Sequence, residues 1–108
     1  MEYELTILSQ AMSEAGREAL RLASAGFETF TKADQSPVTS ADLAVNRILQ
    51  DRLSTAFPED GWLSEETTDN DTRLSRKRVW IVDPIDGTRS FVRGLPEFCL
   101  SVALVENG

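Results

Sequence analysis

Two acids three positions apart, Asp83 and Asp86, sit near the end of the stretch Val79-Trp80-Ile81-Val82-Asp83-Pro84-Ile85-Asp86-Gly87-Thr88. The apolar run from Val79 to Val82 predicts a short strand buried on both faces. Pro84 stiffens the backbone between the acids, and Gly87 permits a tight turn behind them. A strand end that holds two carboxylates in a turn suits a hard cation such as Mg²⁺, which takes oxygen ligands and commonly uses one or two carboxylates beside a substrate phosphate. The same pair equally suits an Asp-turn whose side chains cap backbone N–H groups. A second acidic pair, Glu65-Glu66, follows Trp62-Leu63-Ser64, and a third acid, Asp42, stands three residues after Thr39. Read singly, the first is solvated loop charge and the second a capping box. If the two strands are neighbours, however, Glu65, Asp83 and Asp86 converge. Carboxylates crowded together repel and raise one another's pKa, a penalty that two or more Mg²⁺ ions would remove.

The elements that must carry these acids are legible from periodicity. Leu5, Leu8, Met12, Ala15, Ala19 and Leu22 recur at steps of three and four, one stripe of a long helix ending near Gly26. A coiled-coil seam would give the same stripe, but alanine at two of its positions favours close packing within the protein. Lys32 to Pro37 reads as a polar loop. A second helix follows, capped by Thr39 and lined by Ala41, Val45, Ile48, Leu49 and Leu53. Pro58 to Gly61 forms a turn, Thr67 to Lys77 an exposed loop, Ser90 to Val92 one helical turn, and Phe98 to Val105 a last strand. The predicted fold is α+β, with two N-terminal helices packed on a mostly antiparallel sheet.

Composition excludes several functions. At 108 residues, 41% hydrophobic and 27% charged, the chain has the make-up of one globular domain at most. Eighteen acids against 11 bases give a net charge of −7, which argues against nucleic acid as a partner. The absence of histidine removes Ser-His and Cys-His catalysis and His-containing zinc sites. A single cysteine, Cys99, forbids an internal disulfide and fits a reducing, cytoplasmic location. No apolar run has membrane-spanning length, and the acidic start Met1-Glu2-Tyr3-Glu4 does not read as a secretory signal.

Taken together, the motifs resemble those of a known family. Trp80 to Thr88 looks like the signature of the inositol monophosphatase superfamily of Mg²⁺-dependent, lithium-sensitive phosphatases. Leu63-Ser64-Glu65-Glu66 resembles its glutamate motif, and Ser36-Pro37-Val38-Thr39-Ser40-Ala41-Asp42 its loop before the second helix, in the same order and spacing. The fuller pattern from Lys32 to Asp42 is most similar to the bacterial branch that hydrolyses 3′(2′),5′-bisphosphate nucleotides such as adenosine 3′,5′-bisphosphate. Inositol-1-phosphate and histidinol-phosphate phosphatases share the metal motifs and stay open as alternatives.

The resemblance implies a layered sandwich and hydrolysis of a phosphate monoester by metal-activated water. It makes Glu65, Asp83, Asp86 and the carbonyl of Ile85 ligands of two or three Mg²⁺ ions. Asp42 and Thr88 would orient and deprotonate the water, Gly87 and Thr88 would offer N–H groups to the phosphate, and Glu66 and Thr39 would support the site. The partner implied is a small phosphorylated substrate, with the oligomeric state open and a homodimer allowed. The family also uses an Asp far downstream, for which this chain has no counterpart. The chain closes on Asn107-Gly108, a strong hairpin signal with no returning strand. Residues 1–108 are therefore expected to be the N-terminal part of a single phosphatase domain, inactive and marginally folded alone. A rival of another class is a non-catalytic metal-binding or assembly fragment.

Overall fold

The computed structural model of the chain describes residues 1–67, 69 and 71–107. In chain order it contains α1 (Glu2–Ala25), β1 (Thr29–Thr31), β2 (Pro37–Thr39), α2 (Ser40–Ala56), β3 (Gly61–Ser64), a 3₁₀ turn at Asp71–Ser75, β4 (Arg78–Asp86), α3 (Thr88–Val92) and β5 (Cys99–Glu106). Strands β3, β4 and β5 form one sheet in that order, and β1 and β2 pair as a separate antiparallel hairpin. β4 and β5 are antiparallel, whereas β3 and β4 are parallel, with Ser64 opposite Val82. Two of the three pairings are thus antiparallel, and the parallel one carries the acids.

The helices lie on one face of the sheet. Trp62 and Ser64 of β3, Trp80 and Val82 of β4, and Val102 and Leu104 of β5 occupy matching register positions on the covered side. The other face carries Leu63, Ile81 and Ala103, with Ile81 40% exposed. The strand predicted to be buried on both faces is therefore covered on one. β4 also runs past Val82 to Asp86, with a register irregularity between Asp83 and Asp86 against Ser101 and Cys99. Such an irregularity bends a strand and re-aims its side chains.

Helix α1 keeps most of its predicted stripe, but Ala11 joins the inner face and Leu5 leaves it. Its innermost residues are Ala11, Ala15 and Ala19; Leu8, Met12 and Leu22 are half-buried, and Leu5 is 55% exposed. The physical reason is backbone approach. A row of alanines every fourth residue lets α1 sit close against Ala41, Val45 and Leu49 of α2, with Val82, Ile85 and Phe91 beneath. Periodicity located Ala15 and Ala19 and the close packing they allow, but not Ala11, whose small side chain extends the same row. Helix α2 keeps its predicted face, with Ala41, Val45, Leu49 and Leu53 buried and Ile48 beside them.

The segment expected to be a plain loop is the tip of the β1–β2 hairpin. Phe30 pairs with Val38, and the Asp34 carboxylate accepts from the N–H and hydroxyl of Ser36. Strands of three residues leave too little pattern to detect. The predicted loop from Thr67 to Lys77 contains the 3₁₀ turn; its Thr68 and Asn70, like Gly108 of the predicted terminal turn, lie outside the described residues. Far from the acids, Arg78 clasps Glu4 of α1 and Asp60, and the Trp80 indole N–H also donates to Asp60.

Leu49→Ala should lower stability by about 2–5 kcal/mol through lost burial and a cavity. Leu5→Ala should change it by about 0.5 kcal/mol or less, as an exposed substitution does. Urea unfolding of both variants checks this; equal losses would return Leu5 to the packed face.

Candidate active site at the ends of two parallel strands

Because β3 and β4 run parallel, both strands finish at the same edge of the sheet. Ser64 leads directly into Glu65 and Glu66, and Val82 into Asp83. A cleft of about 350 Å³ opens there, and its walls include Lys32, Glu65, Glu66, Asp83, Asp86 and Thr88. The β1–β2 hairpin supplies the Lys32 wall, and the start of α3 supplies Thr88.

Asp42 is 2% exposed at the base of α2. Its Oδ2 accepts from the Thr39 N–H at 2.8 Å and from the Thr39 hydroxyl at 2.6 Å. The Thr39 Oγ1 in turn accepts from the N–H groups of Ala41 and Asp42, completing the predicted capping box. The other oxygen, Oδ1, accepts from the Thr88 hydroxyl at 2.9 Å across 46 residues of chain. Thr88 Oγ1 also lies 3.0 Å from the Ile85 carbonyl, so its one proton is shared between two acceptors and its lone pairs remain free to accept. Asp42 thus caps a helix with one oxygen and holds a hydroxyl at the cleft with the other.

Gly87 joins β4 to α3 with φ 95°, a left-handed conformation that side chains rarely adopt. A Cβ there would also stand 2.7 Å from the Glu97 carbonyl oxygen. The turn therefore needs glycine twice over, for its dihedral and for its clearance.

The acids are electrostatically coupled. Asp83 is half-buried, and its carboxyl is pushed up from 3.8 to about 6, first by burial and then by the negative charges of Glu65, Asp86, Asp42 and Glu66. Glu66, its side chain largely buried, is paired with the Lys32 ammonium at 2.5 Å, and that bond holds Lys32 above its ordinary pKa. Glu65 and Asp86 are exposed. Among the described residues no three acids already stand at the spacing of a finished metal site. The donor set nonetheless fits Mg²⁺: the groups are oxygen ligands, and their mutual repulsion, visible at Asp83, is what a hard cation relieves.

The structure thus gathers Glu65, Asp83, Ile85, Asp86, Gly87 and Thr88 at one cleft, with Asp42 and Thr39 directly behind Thr88 and Glu66 held to the hairpin. Sequence reasoning missed Lys32, whose nearness to Glu66 depends on the hairpin. It also missed Asn46, Ser64 and Thr67, which bond to one another behind the acidic turn. A polar residue on the apolar face of α2 was the available signal for Asn46.

Residues 1–108 match the sequence model described as the Inositol monophosphatase family. The chain belongs to the inositol monophosphatase family. It is 40% identical over 82 residues to the 3′(2′),5′-bisphosphate nucleotidase CysQ of Escherichia coli K12, a match covering 75% of this chain and 33% of that protein. It is 38% identical over 110 residues to the histidinol-phosphatase of Mycobacterium tuberculosis H37Rv, covering 100% of this chain and 42% of the relative. The matches thus span 33% and 42% of these curated relatives. In three dimensions it resembles the extragenic suppressor protein suhB from Bartonella henselae, with a TM-score of 0.89 at 31% identity over 98% of this chain and 42% of that one. An IMPase/NADP phosphatase crystallised with Mg²⁺ and phosphate matches with a TM-score of 0.82 at 27% identity, over 99% of this chain and 40% of that one. The α+β fold expected from the motifs is the fold of these proteins.

Asp83 sets a pH dependence whose sign follows from its raised carboxyl. Between about pH 4 and about pH 6 the folded chain holds a proton that the unfolded chain has released, so folding is favoured at the low end of that window. The favourable contribution is lost as pH rises through about 6. In chelator, the melting temperature should therefore fall from about pH 4.5 to about pH 7, and Asp83→Asn should flatten that part of the profile. An unchanged slope in Asp83→Asn would assign the dependence to other groups.

Proposed function

We propose that this chain is the N-terminal part of a single phosphatase domain, and that the whole protein is a Mg²⁺-dependent hydrolase of phosphate monoesters. The observation that carries the reading is the buried Asp42 holding the Thr88 hydroxyl at the mouth of an acid-lined cleft. Glu65, Asp83, Asp86 and the Ile85 carbonyl would hold two or three Mg²⁺ ions, with Glu66 and Thr39 in support. When bound, Mg²⁺ supplies positive charge to the phosphate and lowers the pKa of water at the site.

The chain's own residues then do the following. Thr88 Oγ1 accepts a proton from the incoming water and passes its own to Asp42, whose second oxygen is fixed by Thr39. The water oxygen bonds to phosphorus as the ester oxygen leaves, and the leaving oxygen takes a proton from solvent. The left-handed Gly87 followed by helical Thr88 forms a turn whose N–H groups suit phosphate oxygens.

The preferred substrate is a 3′(2′),5′-bisphosphate nucleotide, with adenosine 3′,5′-bisphosphate foremost, on the pattern from Lys32 to Asp42 and the match to CysQ. A second reading, histidinol phosphate or inositol-1-phosphate, has its own support in the histidinol-phosphatase match over the whole chain. A cytoplasmic location fits the single exposed thiol of Cys99, and among the described residues no helix is long and apolar enough to cross a membrane.

A longer protein carrying this segment should release phosphate from adenosine 3′,5′-bisphosphate faster than from inositol-1-phosphate or histidinol phosphate, and the 108-residue chain should release none. Thr88→Ala in that longer protein should reduce kcat by about 10²–10⁴-fold with KM little changed. If Thr39 and Asp42 only cap α2, Asp42→Asn would instead keep its turnover and lose about 1 kcal/mol of stability. For the segment itself, Tb³⁺ luminescence and Mg²⁺ calorimetry should detect cation binding that Asp83→Asn abolishes. Equal binding by wild type and Asp83→Asn would leave a fragment without the proposed metal site.

A further inference from the structure

The inner face of α2 is apolar apart from two buried polar residues, Asp42 and Asn46. They are four positions apart, one turn of helix and about 6 Å along its axis. Asp42 reaches the turn after β4 through Thr88. Asn46, 7% exposed, reaches the turn after β3. Its Oδ1 accepts from the Ser64 hydroxyl at 2.6 Å, and its Nδ2 donates to the Thr67 Oγ1 at 2.8 Å. Ser64 and Thr67 bracket the acidic pair, Glu65 and Glu66, so one amide grips both ends of that turn. Three further bonds close the loop. The Ser64 Oγ accepts from the Glu66 N–H at 3.2 Å, the Ser64 carbonyl accepts from the Thr67 N–H at 3.3 Å, and the Trp62 indole N–H donates to Thr67 Oγ1 at 3.1 Å.

A buried asparagine in a helix interior is unfavourable by propensity and tolerated only when its amide is satisfied on both sides. Among the described residues no buried side-chain polar atom lacks a partner, and here the partners converge on one target. We propose that Asn46 is a positioning residue that fixes the Glu65–Glu66 turn against α2. The same helix then sets the distance between the acids of β3 and those of β4. This inference rests on the metal reading above, because the quantity it controls is how well Glu65 meets the cation shared with Asp83 and Asp86. Groups that orient a metal ligand without touching the metal typically change affinity by about 10–100-fold.

The test is Mg²⁺ calorimetry with Tb³⁺ luminescence on this chain, at a temperature where circular dichroism shows every variant folded. Asn46→Ala and Thr67→Val should each weaken cation binding at least about ten-fold, and Thr67→Ser, which keeps the hydroxyl, should restore wild-type affinity. Leu49→Ala, which destabilises the same helix without touching the turn, should leave affinity unchanged. Should Asn46→Ala fail to fold, the pair Thr67→Val and Thr67→Ser decides the matter. Wild-type affinity in Thr67→Val, with binding still abolished by Asp83→Asn, would overturn the role of Asn46 and leave the metal reading standing. Equal weakening by Leu49→Ala would overturn it too, as an effect of stability alone. Wild-type protein that binds no cation, or binding indifferent to Asp83→Asn, would overturn the metal reading and this inference with it.

Discussion

Parallel pairing of β3 with β4 places the ends of both strands at one edge of the sheet, with Ser64 opposite Val82. An antiparallel pairing would have sent Glu65 and Asp83 to opposite edges. Parallel neighbours cannot be joined by a tight turn, so the chain makes a long excursion from Ser64 through the 3₁₀ turn before it re-enters at Arg78. The excursion opens with Glu65 and Glu66 at the cleft edge and with Thr67 bonded to Asn46. Its consequence is that two acidic turns, distant in sequence, face one cleft.

Helix α2 turns that coincidence of edges into a defined geometry. Its base offers Asp42 to Thr88, and its next turn offers Asn46 to Ser64 and Thr67. The alanine row of α1 lets the helix pair lie close together, with the side chains of β4 and Phe91 beneath both. The apolar interior and the polar contacts therefore share one element. The helix whose apolar face is buried through Val45 and Leu49 is thus the one that carries Asp42 and Asn46.

Electrostatics works against this arrangement. Crowding Glu65, Asp83 and Asp86 near the buried Asp42 raises the Asp83 carboxyl, so the folded chain bears a penalty at neutral pH that the unfolded chain does not. Lys32 offsets part of it by pairing with Glu66. The rest of the negative field faces the cleft. Sites where burial and like charges disfavour ionisation are where function concentrates, because relieving that cost ties folding to ligand binding.

Much of this was legible in the sequence, for a physical reason that also marks its limit. The capping box of Thr39 and Asp42, the glycine turn at Gly87 and the strands through Val82 and Ser64 depend on residues close along the chain. Local sterics and hydrogen bonding decide such features, so type and spacing reveal them. The convergence of Glu65 with Asp83 was conditional on the strands being neighbours, and the partnership of Asp42 with Thr88 came from family resemblance. Only tertiary structure decided the parallel direction of β3 on β4, the hairpin that brings Lys32 to Glu66, and the bonds of Asn46 to Ser64 and Thr67. It also decided the exact inner edge of α1, adding Ala11 to the predicted Ala15 and Ala19 and leaving Leu5 exposed. Periodicity registers how apolar a side chain is, whereas packing two helices together depends on how near their backbones can come.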